Sequence, residues 1–183
     1  MQKKILLQLI CFSGFILKSQ ITYVKGYLIP LKGDTIKGEI KINPKKEHEN
    51  YSKVVFKDAE GVQKNYRPER VKAYGFSDQH YVSIKHDDET KFYKRLANGY
   101  ILFYKVAFEI TGVNETTFDY DYFLFKDGDK KLTNIKQNKF KKQIQEWMSG
   151  QPVLADEFHD EKNFNEKRAA EVINKYNEWK KNN

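Results

Sequence analysis

The residues best suited to chemistry lie at four places along the chain. His86 is followed directly by Asp87, Asp88 and Glu89, an imidazole beside three carboxylates. A metal ion takes such groups as ligands, but a site needs three or four that converge, and no H-E-x-x-H or related spacing is present. Asp119 and Asp121 are two apart, so on a strand their carboxylates share a face, as the acid pair of a glycosidase must. Basic residues on a neighbouring strand would account for that pair equally well. His159-Asp160-Glu161, with Ser149 or Ser83 as nucleophile, has the composition of a hydrolytic triad. Its spacing is wrong: adjacent loop residues seldom face one another, and there is no G-x-S-x-G elbow. Asp127-Gly128-Asp129 opens like a calcium loop, yet Lys131 occupies the fifth position and no glutamate closes it. A carbohydrate- or ester-acting hydrolase using Asp119 and Asp121, or a cluster centred on His86, is therefore the lesser reading. No catalytic residue, metal ligand or cofactor is assigned.

Tyrosines make the stronger case for binding. Tyr93, Tyr100, Tyr104, Tyr120 and Tyr122 fall in strand-like stretches, where they can line a groove for a sugar or peptide or simply fill a core. Lys136, Lys139, Lys141 and Lys142 make one helix face basic, suited to phosphate-bearing lipid or merely to water.

Most of these residues must be positioned by strands. Ile36, Gly38, Ile40 and Ile42 alternate with Lys37, Glu39 and Lys41, the period of a half-buried strand. Gly33-Asp34 separates this run from Ile21–Leu31 and predicts a hairpin. Pro30 cannot donate to a ladder, which puts that end at an edge or a bulge. Further strands are expected over 51–57, 62–66, 71–76, 80–85, 92–96, 100–108, 118–126 and 131–135, with 110–117 as a loop. Asn98-Gly99 predicts a tight two-residue turn. The stretch from Tyr100 to Phe108 is apolar on both faces, so it belongs where both faces are covered. The period then changes. Phe140, Ile144, Trp147 and Met148 form a helical stripe, and Asn163 with Glu166 predicts the cap of a last helix burying Ala169, Val172, Ile173 and Tyr176.

Met1-Gln2-Lys3-Lys4 before the apolar run Ile5–Leu17 reads as a secretory leader over residues 1–19, too short to span a membrane comfortably. Residues 20–183 form one domain, with a sheet part over 20–135 and a helical part over 136–183. The sole cysteine, Cys11, leaves with the leader, which excludes disulfides, thiolate metal sites and cysteine nucleophiles. Loss of Lys3, Lys4 and Lys18 lowers the formal charge from +8 to +5, a modest excess that permits contact with anionic lipid or polysaccharide. Export argues against nucleic acid as a partner, and no transmembrane helix is expected after leader cleavage.

Three stretches carry a resemblance. They are Gly26-Tyr27-Leu28-Ile29 with Gly33-Asp34-Thr35-Ile36-Lys37-Gly38; the Phe-Tyr strand, Asn-Gly turn and Ile-Leu-Phe-Tyr strand over 92–104; and Gln151-Pro152-Val153-Leu154 between helices, the last ending in Tyr176-Asn177. Here the chain resembles uncharacterised exported β-rich proteins of the Bacteroidetes type. The resemblance implies the periplasm or cell surface of a Gram-negative bacterium, and an envelope partner that is lipid, glycan or protein. The expected fold is α+β: a mainly antiparallel, strongly curved or barrel-like sheet with two C-terminal helices packed against it. The expected function is a non-catalytic envelope binding or structural module.

Overall fold

The computed structural model describes residues 21–183 apart from positions 114, 127, 149, 152, 153, 155 and 159–161. The leader expected over 1–19 and the His159-Asp160-Glu161 triplet therefore lie outside the described residues. The first half of the sheet comprises β1 (Thr22–Pro30), β2 (Ile36–Ile42), β3 (Val54–Lys57), β4 (Gln63–Tyr66) and β5 (Val71–Phe76). The second comprises β6 (Gln79–His86), β7 (Glu89–Ala97), β8 (Ile101–Thr111), β9 (Thr116–Lys126) and β10 (Thr133–Asn134). All pair antiparallel in the order β10-β9-β8-β7-β6-β5-β1-β2-β3-β4.

The sheet is open. Barrel closure requires two edges that meet in register; here the edges are the two residues of β10 and the four of β4, which do not pair. The barrel-like form expected from sequence is thus corrected to an open antiparallel sheet. The opening hairpin forms as expected, and Gly33 turns it with φ +92°. β1 lies inside the sheet, between β2 and β5, so Pro30 is accommodated by a register shift after Ile29. The loop expected over 110–117 is shorter than that: β8 runs to Thr111 and β9 starts at Thr116, and these two residues pair.

Tyr51, expected to open a strand, instead ends a 3-10 helix, Pro44–Tyr51, which is interrupted at Lys46 and begins with Asn43 accepting the Lys45 N–H. Pro44 at the first helical position and an Asn cap favour that conformation. After the sheet come the α-helices α1 (Phe140–Trp147) and α2 (Glu166–Lys181). The cap of α2 is Asn165, which accepts the Arg168 N–H at 3.0 Å, two residues beyond the expected Asn163. Among the described residues no helix is long and apolar enough to cross a membrane.

Two apolar clusters hold these elements. One runs from Leu28 and Ile40 through Tyr74, Tyr81 and Phe92. The other joins Ile101, Phe103 and Leu124 of the sheet to Phe140, Ile144 and Met148 and to Ala169, Val172, Ile173 and Tyr176. Burial of each large side chain stabilises by about 1.5–3 kcal/mol, and the helical stripes are those read from the sequence.

The start of β8 is tied to α2 by one amide. Asn177 Oδ1 accepts the Ile101 N–H at 2.7 Å, and its Nδ2 donates to the Ile101 carbonyl at 2.8 Å. The side chain thus acts as a strand neighbour where none exists. A Cβ on Gly99 would stand 2.7 Å from Asn177, and Gly99 takes φ +151°. Asn98 keeps a negative φ, so the expected two-residue turn gives way to a loop over 98–100. Asn177→Leu leaves both Ile101 groups unpaired in a dry site and should cost about 2–4 kcal/mol. Gly99→Ala should cost about 2 kcal/mol through backbone strain and displacement of that amide. Urea unfolding of each variant checks both; an Asn177→Leu protein as stable as the parent would remove the amide from any structural role.

Candidate functional site

Directly opposed residues on antiparallel strands point to one face. The register sets Tyr81 of β6 opposite Lys94 of β7, Lys94 opposite Lys105 of β8, and Lys105 opposite Tyr122 of β9. A Tyr-Lys-Lys-Tyr row therefore crosses four strands. Opposed like charges destabilise a sheet, and Lys105 is only 8% exposed. Two glutamates from outside the sheet offset them. Glu166, in the first turn of α2, lies 3.0 Å from Lys105 Nζ and accepts the Tyr122 hydroxyl at 2.8 Å. The same ammonium sits 3.9 Å from the centre of the Tyr120 ring. Glu47, on the 3-10 helix, lies 3.5 Å from Lys94 Nζ. Lys105 is well supplied with partners; Lys94 has one long contact.

Hydroxylated rings surround this row. Tyr51 packs edge-on against Tyr81 at 5.6 Å and tilted against Tyr120 at 5.9 Å. Tyr74 stacks parallel on Tyr81 at 4.7 Å and donates to the Asn50 carbonyl at 2.6 Å. The Tyr81 hydroxyl donates to Gln79 Oε1 at 2.9 Å and accepts from Asn50 Nδ2 at 3.5 Å. Burial raises the phenols of Tyr51, Tyr74 and Tyr81 above their ordinary value; for Tyr122 burial comes first and the Glu166 hydrogen bond adds to it. All four are neutral donors at physiological pH. Among the described residues the Tyr51 hydroxyl is the one buried side-chain polar atom without a partner. Beside the row, Glu47, Asn50, Gln79 and Lys94 ring a cleft of about 270 Å³, with Pro44 and Phe76 in its wall.

The five tyrosines singled out by sequence do not share a groove. Tyr104 stands opposite Phe123, and Tyr122 opposite Lys105, so the two tyrosines lie on different faces. Tyr93 and Tyr104 meet edge to face at 6.4 Å on the face opposite the lysine row, buried beside Phe123. There burial pushes the Tyr93 phenol up to about 12. Tyr120 and Tyr122 belong to the lysine row, and Tyr100, 44% exposed in the 98–100 loop, lies under Lys180.

The acids and imidazoles are likewise divided. Asp119 is exposed and accepts the Tyr120 N–H at 2.8 Å. Asp121, on the face opposite the lysine row, lines a cleft of about 400 Å³ with His86, Asp87, Glu89, Lys91 and Tyr93. His86 Nε2 stands 3.7 Å from Asp87 Oδ2. Among the described residues no three His, Cys, Asp or Glu side chains form a group able to hold a metal. His80 meets the Tyr27 hydroxyl at 2.5 Å; burial, then the Arg95 charge, lowers it to about 4.

A third concavity lies at the start of α1. It measures about 900 Å³ and is lined by Lys139, Lys141, Lys142 and Lys162, with Phe140 and Phe164 beneath and no carboxylate among the described residues of its wall. Both other clefts carry acids.

Sequence reasoning passed over Lys94, Lys105 and Glu47, and used Glu166 only in a helix cap. One signal for them was present: Lys105 is the lone charge in the run Ile101–Phe108, and a charge in a doubly buried strand requires a partner. No known protein family matches the chain, and neither a curated protein nor a solved structure matches it.

Tyr51→Phe removes a hydroxyl that has no bond to lose, so it should be neutral or stabilise by up to about 1 kcal/mol in urea unfolding. A loss of 2 kcal/mol or more would mean the hydroxyl is bonded in solution. His80 stays neutral in the fold down to about pH 4, while the unfolded chain protonates it below about 6.5. Its contribution is thus complete above pH 6.5 and fades as pH falls towards 4, by about 1–2 kcal/mol after discounting its partial exposure. His80→Asn should flatten this part of the stability profile between pH 7 and 4.5; an unchanged slope would refute the assignment.

Proposed function

We propose that the protein is a non-catalytic module of the bacterial envelope, exported by its N-terminal leader, that holds a phosphate-bearing lipid surface at the Lys139–Lys142 and Lys162 cleft. The carrying observation is a large concavity lined by four lysines, with no acid among the described residues of its wall, although Lys142 also pairs with Glu146 at 3.8 Å. A net basic chain adds long-range attraction. The leader composition and the resemblance to exported β-rich proteins support the location, the periplasm or cell surface of a Gram-negative bacterium.

A second reading, hydrolysis of a glycoside or ester, draws on His86 and Asp121 sharing one cleft. Against it, Asp119 is turned onto its own backbone and Tyr93 stays protonated at neutral pH. The two readings separate in one experiment. The protein should co-sediment with vesicles containing phosphatidylglycerol and not with phosphatidylcholine alone, and the binding should fall with salt. Each lysine near such a surface contributes about 1 kcal/mol, so the triple variant Lys139→Glu, Lys142→Glu, Lys162→Glu should bind at least about tenfold more weakly. Equal binding to both vesicles, or an unaffected variant, would sink the lipid reading. Turnover of chromogenic esters or glycosides, lost in Asp121→Asn, would put the hydrolase in its place.

A further inference from the structure

The two opposed lysines are unequally provided for. Lys105 is closed in by Glu166, Tyr122 and the Tyr120 ring. Lys94, its neighbour, has a side chain only 18% exposed and a single ion-pair partner among the described residues, Glu47 at 3.5 Å. An ammonium carries three N–H donors. With one long contact, this ammonium keeps donors free for solvent or for a ligand that displaces it. Lys94 and Glu47 are both in the wall of the 270 Å³ cleft.

The rest of the wall indicates what fits. Asn50 and Gln79 bring primary amides, each able to donate and accept. Both are held in place through the Tyr81 hydroxyl, which donates to Gln79 and accepts from Asn50. Tyr81 in turn is clamped between Tyr74, parallel at 4.7 Å, and Tyr51, edge-on at 5.6 Å. The polar groups therefore stand on a rigid aromatic stack, a preorganised arrangement that lowers the cost of binding. Pro44, Ile42 and Phe76 supply apolar surface beside them.

Charge decides the class. Lys94, Lys105, Glu47 and Glu166 sum to zero, so an added ion would leave an unbalanced charge in a partly dry site. The ligand must be neutral, offer acceptors to Lys94 and donors to Glu47 within a few ångströms, and carry a C–H face for the apolar wall. We infer that the Glu47–Asn50–Gln79–Lys94 cleft binds a neutral sugar unit, its vicinal hydroxyls bridging Lys94 and Glu47 while the two amides read the remaining polar groups. At about 270 Å³ the cleft falls just below the usual range for ligand sites, which starts near about 300 Å³, and this limits it to one ring or the end of a glycan. This site is separate from the lysine cleft and stands or falls without it.

The test is a titration of the 15N-labelled protein with N-acetylglucosamine followed by 1H–15N correlation spectra, with glycylglycine as a zwitterionic control and inorganic phosphate as an anionic one. The sugar should shift the side-chain amide signals of Asn50 and Gln79 and the backbone signals of 43–50, saturably. A hydrogen bond to a charged group corresponds to about a tenfold change in affinity, so Glu47→Gln and Lys94→Met should each weaken binding about tenfold. Glu47 is partly exposed and Gln is its isostere, so that variant reports binding even if Lys94→Met unfolds. The proposal is overturned if the sugar shifts no signal in this cleft, if glycylglycine or phosphate shifts them instead, or if Glu47→Gln binds as the parent does.

Discussion

Two lysines facing each other across adjacent strands set the terms for the molecule. Lys94 and Lys105 cannot both lie on a covered face unless each receives a carboxylate, and neither β7 nor β8 has one to give there. The 3-10 helix Pro44–Tyr51 brings Glu47 and α2 brings Glu166. Elements far apart in the chain are thereby placed over the same stretch of sheet. An isolated hydrophobic face would accept a helix in many orientations; a buried ammonium accepts far fewer, because a misplaced partner leaves a charge unpaired at a cost of several kcal/mol.

The Asn177 amide extends the same logic to the other end of α2. Glu166 lies in the first turn of the helix and Asn177 three turns later, so the helix is held at two polar points with the stripe Ala169, Val172, Ile173 and Tyr176 between them. Apolar burial supplies most of the stabilisation. The polar contacts, by their directionality, choose among the packings that burial would allow. The same division holds at the 3-10 helix, where Tyr51 fills the core and Asn50 and Glu47 fix its register against β5, β6 and β7. It is also where polar groups gather at the surface, and so where a cleft with defined chemistry arises.

Patterns confined to one element were legible before any coordinates. The β1–β2 hairpin, the bounds of β5, both helical stripes and the double burial of β8 all follow from periods of two or 3.6 and from turn residues, which are properties of neighbouring residues. The misreadings share a cause. Asn98-Gly99 has the composition of a tight turn, but Asn177 from α2 reshapes it. The cap moved from Asn163 to Asn165, both being Asn and distinguishable only by which one meets the helix axis. The tyrosines were grouped by type, whereas the register sorts them by parity onto opposite faces.

The sequence by itself determined most of the strands, both α-helical stripes and which faces of these elements are apolar. Those are consequences of local geometry, repeated every few residues. Only the tertiary structure decided that the sheet stays open, that Lys94 meets Lys105, and that glutamates 47 and 166 answer them. Such choices depend on register and on contacts between residues dozens of positions apart, and no local period records which distant carboxylate a buried ammonium will find.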